Sequence, residues 1–412
     1  MRVTLFHPVF REVGGAEVLV TRHEALLRTA GYDVAVVTRA LDRDRWQAWI
    51  DASGATVHDV PHAWWERRPY RTPARKLTES ARRLAPYFDR AACVMAYNAP
   101  APAILGTLPS PRPRLVWHCN EPPRDLHFAE TGRAAVAHVR ARGCDARATL
   151  LDERWVAERM VRYGRRLGER AQFAADRALD VERVGALDRV IALSAYTAES
   201  VRLVYGRTVD AVVPPVVPAP AAVPRRAGID RTGGLHVLAH TRLGPTKNVD
   251  AVLHAFARFR ARCPGAHVLH VVGTGALAAT LQGVAADLGL GGAVRWHGYL
   301  GEAALADVYA RCDVFALLPL DEPFGMVFPE AALRGLLLVG PDHGGPAEIL
   351  DGGALGWAVD AFDPDAVADA LAEAWRLPDG EADRRRVRAA DACRGRYGPG
   401  AVRPRLAAAL AG

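Results

Sequence analysis

The chain has 412 residues, half of them apolar, and its 53 Lys and Arg outweigh 46 Asp and Glu to a formal net charge of +7. That length exceeds what one hydrophobic core organises and predicts two α/β domains of roughly 200 residues each. No stretch approaches the ~20 consecutive apolar residues of a transmembrane helix, and the opening MRVTLFHP reads as a strand rather than a charged signal region, so the expected location is the cytoplasm.

Short apolar, β-branched runs recur at 2–6, 33–38, 91–96, 114–117 and 189–193, several separated by segments of helical periodicity. That alternation predicts a parallel sheet with helices on its faces. A sixth run at 209–213 ends in Pro214 and Pro215 and opens a Pro- and Gly-rich linker over 216–234. Strand and helix alternation restarts at 237–239, 268–272, 294–296, 314–318, 336–339 and 357–359. The expected organisation is an N-terminal Rossmann-like domain over 1–215, a second one over 235–385 and a terminal helix over 386–412. The charge-dense stretch 131–185 reads as an elaboration of the first domain.

The charge divides unevenly, because residues 1–217 hold 33 Lys and Arg against 25 Asp and Glu, and the remainder is close to neutral. The first half therefore expects an anionic partner. No zinc-finger, RNP-like or basic-zipper pattern accompanies the charge, so nucleic acid is not expected. Between 62 and 83, Trp64, Trp65 and Tyr70 stand among seven basic residues and two acidic ones. That mixture suits peripheral contact with an anionic membrane, or a solvated helix and loop. Cys93, Cys119, Cys144, Cys263, Cys312 and Cys393 lie far apart without a CxxC pair or histidine cluster. They read as buried thiols rather than metal ligands.

Glu322 and Glu330, in EPFGMVFPE, follow a buried strand. A helix starting near Gly325 would turn the amides of Gly325, Met326 and Val327 toward an anion, and two carboxylates two turns apart could address different parts of one extended ligand. Alternatively, they are a helix-start glutamate and a solvated one. Arg242 and Lys247, in TRLGPTKN, follow the first strand of the second domain, where open α/β sheets bind ligands. Arginine supplies a fork of donors and lysine a compact charge. The sequence holds 51 arginines and two lysines, Lys76 and Lys247, so Lys247 is either a position where a fork would not fit or a surface lysine that escaped the bias. VVGTGA, with Gly273, Thr274 and Gly275, suggests a dinucleotide loop, but the next strand ends in WHGYL without the required acid. A dehydrogenase is therefore excluded, and the glycines are read as room for a nucleotide. DHGGPAEIL, with Gly344, Gly345 and Glu348, either lines the same cleft or makes a turn and helix start.

In this order, TRLGPTKN, VVGTG, VRWHGYL, EPFGMVFPE and HGGPAEIL resemble the C-terminal domain of retaining glycosyltransferases of family 4, which have the GT-B fold of two Rossmann-like domains facing a central cleft. GGAE at 14–17 and SAYTAESVRLVYGRTVDAVVPPV are similar to bacterial polysaccharide glycosyltransferases and to mannosyltransferases of lipid-linked oligosaccharide assembly. The resemblance omits 131–185 and implies that the terminal helix over 386–412 crosses back onto the first domain. It implies a hexosyl transfer, retaining and without metal or other cofactor, from GDP-mannose or a UDP-sugar to a glycan, lipid-linked or small-molecule acceptor. Arg242 and Lys247 would take the diphosphate. Glu330 would take the ribose, and Glu322 with the amides from Phe324 through Gly325 and Met326 to Val327 the sugar and phosphate. Gly273 and Thr274 would border the nucleotide, and His297, Gly298 and Tyr299 the base. Gly14 and Gly15 would approach the diphosphate from the first domain, with Glu17, Glu121 and Arg124 on the acceptor side. Related proteins carry YCHEPPR where this chain has HCNEPPR, so the family histidine falls on Asn120, and His118 either replaces it or packs under the sheet. A catalytically silent nucleotide-sugar-binding or partner subunit, a nucleotide-sugar epimerase and a glycoside phosphorylase are the alternatives.

Overall fold

Strands buried on both faces need largely apolar side chains, and runs such as 34–37, 93–96 and 314–316 supply them without a break. The computed structural model describes residues 1–61, 74–124, 126–127, 170–220, 229 and 232–411, with the backbone alone for 170–173. Trp64, Trp65, Tyr70, Cys144 and all of 131–169 lie outside the described residues. The described residues up to 216 together with 399–411 form one unit, and those from 217 to 398 form a second.

The first unit is built on β1 (Arg2–Phe6), β2 (Asp33–Thr38), β3 (Thr56–Asp59), β4 (Cys93–Ala96), β5 (Arg114–Cys119), β6 (Arg189–Ala192) and β7 (Ala211–Val212). They lie parallel in the order β3-β2-β1-β4-β5-β6-β7, with Leu5 between Val36 and Met95. Alternate side chains take opposite faces. Leu5, Val36, Met95 and Val116 join one core with Leu19 and Val20, while Phe6, Val37, Val94 and Trp117 join another with Leu84 and Phe88. β3 escaped the sequence reading because it is an edge strand with no fully buried residue, so its apolar signal is weak.

The helix Pro399–Ala411 completes this unit. Val402, Leu406, Ala409 and Leu410 enter the core beside Leu19 and Val20. Arg114 Nη1 donates to Leu410 O at 2.8 Å, and Arg189 Nη1 to Ala409 O at 3.0 Å, so two strand-start arginines satisfy the helix's last carbonyls. The preceding helix, Asp379–Tyr397, stays with the second unit, where buried Arg386 stands 3.7 Å from Asp313.

The second unit carries β8 (His236–His240), β9 (Val268–Val272), β10 (Val294–Gly298), β11 (Val314–Ala316), β12 (Leu337–Pro341) and β13 (Trp357–Val359), parallel in the order β10-β9-β8-β11-β12-β13. Strand order reverses between β8 and β11, and between β1 and β4 in the first sheet. Chain connections leave such a point in opposite directions, which opens a crevice at the strands' carboxyl ends. Among the described residues no helix is long and apolar enough to cross a membrane. Cys93, Cys119, Cys263, Cys312 and Cys393 are buried, and burial pushes the Cys93 and Cys393 thiols up to about 12.

His7, His23 and His118 are locked inside the first unit. His23 Nδ1 lies 2.9 Å from Tyr97 Oη, and the His23 and His118 rings meet edge to face at 4.9 Å. Burial pushes His7 and His118 down to about 4 and His23 well below its ordinary value. Their folded affinity for protons is thus weaker than in the open chain, so stability is full above the unfolded value and is lost as pH falls from about 6.5 toward 4. Each histidine contributes a slope of about 1.4 kcal/mol per pH unit within that window. The urea midpoint should therefore drop between pH 7 and pH 5, and an unchanged midpoint would contradict this account.

Candidate functional site

Three strand ends build the site in the second unit. Leaving β8 at His240, the chain passes Arg242 and enters a 3-10 turn, Pro245–Lys247. Asn248 follows in the left-handed region at φ 51°, which asparagine tolerates better than most residues. Its Nδ2 donates to Ala361 O at 3.2 Å, fixing the turn against the loop after β13. From β11 the chain runs through Leu320 and Glu322. Leu320 N donates to Thr246 O at 3.0 Å, and Lys247 Nζ forms a short ion pair with Glu322 Oε2. The two side chains keep 24% and 16% exposure, so the pair is partly dried yet open to a ligand. From β12, His343 Nε2 donates to Leu320 O at 3.2 Å and Gly345 N to Glu322 O at 2.9 Å.

Lys247, Glu322 and the Gly344–Gly345 turn are thus brought together, and Arg242 stands exposed in the segment that delivers Lys247. Glu348, on the helix Gly344–Leu350, is exposed. The helix bearing Glu330 spans Val327–Leu333 and begins two residues later than expected, because Gly325 at φ 86° is left-handed and cannot join it. Phe328 N already reaches Gly325 O at 3.0 Å, so the amides helix geometry leaves over are those around Met326 and Val327. Phe324 points into the core, its ring 5.1 Å from that of Tyr397, and can offer a ligand only its backbone.

Gly273 and Gly275 answer to internal packing. A Cβ on Gly273 would stand 1.8 Å from Thr241 O, and one on Gly275 2.2 Å from Leu243 O. Close approach of the β9 loop to the β8 loop requires them, cemented by Leu243 N donating to Thr274 O at 2.9 Å. Thr274 itself is exposed, as is Tyr299 at 77%. Gly298 O accepts from Gly273 N at 2.8 Å, and His297 Nε2 lies 3.0 Å from His270 Nδ1 in a stacked pair.

In the first unit, Gly14 precedes the helix Gly15–Thr29, and a Cβ on Gly15 would meet nothing within 4 Å, so internal packing does not demand a glycine there. A Cβ on Gly14 would meet only the tip of Glu17, at 2.6 Å. His118 does not reach the surface: it is fully buried with Nε2 3.2 Å from Val213 O, the packed placement of the two considered from sequence. Asn120, in the loop after β5, donates from Nδ2 to Asn98 Oδ1 at 2.8 Å. Glu121 and Arg124 pair with each other at 2.5 Å.

Sequence reasoning missed the groups behind Glu330. Tyr309 is buried on the helix Glu302–Arg311, and its hydroxyl lies 3.0 Å from His240 Nδ1. Arg334 caps its ring at 4.8 Å and donates to Glu330 O at 3.1 Å. Apolar periodicity hides a tyrosine that lies beside Val308 on the buried side of its helix, so no local signal could have found it. Among the described residues no group of three His, Cys, Asp or Glu side chains gathers as a metal-ligand set.

Residues 229–392 match the family model Glycosyl transferases group 1. The chain is 34% identical over 144 residues to the GDP-mannose-dependent alpha-(1-6)-phosphatidylinositol monomannoside mannosyltransferase of Mycobacterium tuberculosis, which covers 33% of this chain and 37% of that protein. It is 33% identical over 159 residues to the D-inositol 3-phosphate glycosyltransferase of Streptomyces griseus, 37% of this chain and 34% of that one. The matched region therefore spans little more than a third of these curated relatives. Anabaena HepE in complex with UDP aligns over 100% of this chain and 99% of its own with a TM-score of 0.71 at 16% identity. The UDP-forming alpha,alpha-trehalose-phosphate synthase of Burkholderia xenovorans in complex with glucose-6-phosphate aligns over 100% of both chains with a TM-score of 0.66 at 14% identity. At such identities the likeness is one of fold: two parallel-sheet Rossmann-like units, as in GT-B glycosyltransferases.

The glycine at 345 gives the site its most exposed structural dependence. A Cβ there would lie 2.3 Å from Pro323 O and 2.4 Å from Phe324 Cα, with backbone on both sides and no flexible tip to yield. Gly345→Ala should lower stability by about 1–3 kcal/mol, the usual cost of overpacking, read from urea unfolding. A wild-type midpoint would show that the Glu322 loop is not seated on Gly345 as described.

Proposed function

We propose that this chain is a retaining, metal-independent glycosyltransferase of group 1, belonging to family 4, that moves a hexosyl unit from a nucleotide sugar to an acceptor hydroxyl. The observation that carries this reading is the Lys247–Glu322 clasp between the β8 and β11 loops, inside the stretch that matches the group 1 family model. A cation held at that crevice, with Arg242 exposed beside it, suits a diphosphate. The second unit is assigned the donor. The first, through Gly14, Gly15, Glu17, Asn120, Glu121 and Arg124, is assigned the acceptor.

In the proposed reaction the bond between the anomeric carbon and the donor phosphate oxygen breaks. That oxygen gains negative charge while the sugar ring gains positive character. Arg242 and Lys247 neutralise the departing diphosphate, and the amides at Met326 and Val327 add donors that need no reorganisation. Glu322 keeps the lysine ammonium aimed and accepts from the sugar hydroxyls. Glu330 accepts the paired hydroxyls of the ribose. The acceptor oxygen bonds to the anomeric carbon on the leaving-group face, and its proton passes to the departing phosphate. His118, buried and neutral, takes no part in this scheme.

GDP-mannose is the favoured donor because the M. tuberculosis relative is GDP-mannose-dependent, and a UDP-sugar is the second candidate because HepE was crystallised with UDP. A thermal-shift comparison of GDP-mannose with UDP-glucose reads the choice directly, since a donor at a hundred times its Kd adds about 2.7 kcal/mol to stability. Sugar transfer to an acceptor tests the reading itself, and a protein that binds nucleotide sugar without transferring it would refute the reading.

Lys247→Ala and Arg242→Ala should each lower kcat about a hundredfold with a near-native Tm, the usual cost of losing one preorganised charge donor. Full activity in both variants would remove the diphosphate from this crevice. Excess chelator should leave the transfer rate unchanged, whereas a strict requirement for added magnesium would overturn the metal-independent scheme.

A further inference from the structure

His343 stands at the start of a helix and does not cap it. The residue is extended, at φ −133° and ψ 168°, immediately before the helix Gly344–Leu350. Serine, threonine, asparagine and aspartate are favoured there because their side chains accept from the first amides, and His343 makes no such bond. Its ring crosses instead to the loop after β11, where Nε2 donates to Leu320 O at 3.2 Å. A carbonyl only accepts, so the proton of this contact belongs to Nε2. On the other side of the ring Nδ1 lies 3.4 Å from Asp342 Oδ1, and the ring plane is within 17° of that of Phe362. Phe362 belongs to the loop after β13, which Asn248 Nδ2 ties to the Lys247 turn through Ala361 O at 3.2 Å. One imidazole, itself leaving β12, thus touches the exits of β11 and β13. The segment it holds carries Glu322. Leu320 and Asp321 are buried there, and buried backbone groups outside regular structure need partners of their own. Leu320 N donates to Thr246 O at 3.0 Å and Gly345 N to Glu322 O at 2.9 Å, while among the described residues no backbone amide reaches Leu320 O.

We propose that His343 is a positioning residue for the diphosphate of the donor: its bond to Leu320 O fixes the loop that aims Glu322 at Lys247, and so holds the ammonium where the diphosphate is received. This rests on the assignment of Lys247 to the diphosphate. A lysine loses much rotamer freedom when a ligand arrests it. A carboxylate fixed beforehand takes up that loss before the ligand arrives, which appears as affinity. Loosening the Leu320 peptide would return the freedom without removing a charge. The two ring nitrogens have separate partners, so the contact with Leu320 can be removed while the contact with Asp342 is kept.

The test measures the full chain's affinity for UDP and GDP by calorimetry at fixed salt, following whichever binds more tightly. Lys247→Ala should weaken binding about tenfold or more, the worth of a hydrogen bond to a charged group. If wild type binds neither nucleotide, or if Lys247→Ala binds as wild type does, the diphosphate assignment fails and the role of His343 falls with it. Given Lys247-dependent binding, His343→Asn, whose amide reaches the Nδ1 position but not the Nε2 position, should weaken it about three- to tenfold. His343→Gln, which returns an N–H near the Nε2 position, should stay within about twofold of wild type. Wild-type affinity in His343→Asn overturns the proposal alone, and so does an equal loss in both variants. A double-mutant cycle separates aim from general damage: in a Glu322→Ala background His343→Asn should cost less than about twofold, because no carboxylate is left to direct. The same loss in both backgrounds would show that the histidine acts elsewhere and overturn the proposal. Should His343→Asn not fold, His343→Ser, with a side chain favoured at a helix start, takes its place with the same expected loss and the same overturning results.

Discussion

A single ion pair between two loops organises the crevice of the second unit. Lys247 and Glu322 are 75 residues apart in sequence, and their contact is the side-chain seam over which the ends of β8 and β11 meet. Exposed pairs of this kind contribute little, about 0–1 kcal/mol, and drying them raises both attraction and desolvation cost. The contribution of this pair is therefore geometric rather than energetic. It holds an ammonium in one place, on a backbone already tied by Leu320 N to Thr246 O and by Gly345 N to Glu322 O. Without the carboxylate the lysine would sweep its long side chain through solvent, and a passing anion would have to arrest it.

The architecture could be read from residues because parallel sheets impose a severe rule. A strand buried on both faces must be largely apolar, and 34–37, 93–96 and 314–316 show that pattern without a break. Thr56–Asp59 did not stand out because an edge strand is exempt from that rule. The cationic and acidic residues of the crevice were readable for a second reason: they occupy loops at strand ends, where packing makes few demands and polar residues have to be explained. Gly273 and Gly275 show the limit of that approach. Whether a glycine clears space for a ligand or for another stretch of backbone depends on what lies across from it, which is a tertiary fact. Tyr309 and His240 were hidden for the converse reason, since they lie within regular elements whose periodicity accounts for them as core.

The histidines divide along similar lines. His118, His23 and His7 are packed into the first unit and held neutral by exclusion of water, whichever motif surrounds them. In the second unit His236, His270 and His297 stack across neighbouring strands, each ring bonded to the next at 3.0 Å. A neutral imidazole donates from one nitrogen and accepts at the other, so the tautomer of one ring dictates that of the next. Strand register alone assembles this row. Histidine content read from sequence cannot separate such a row from a metal site or a general base.

The helix Pro399–Ala411 supplies part of the core of a unit whose first strand is Arg2–Phe6. On the ribosome, synthesis at about 5–20 residues per second separates these two pieces by roughly 20–80 seconds. Throughout that interval Leu19 and Val20 lack the apolar cover that Val402, Leu406 and Leu410 later provide. The order of birth and the order of completion are thus reversed, and the nascent N-terminal half is the portion that a chaperone would have to shield.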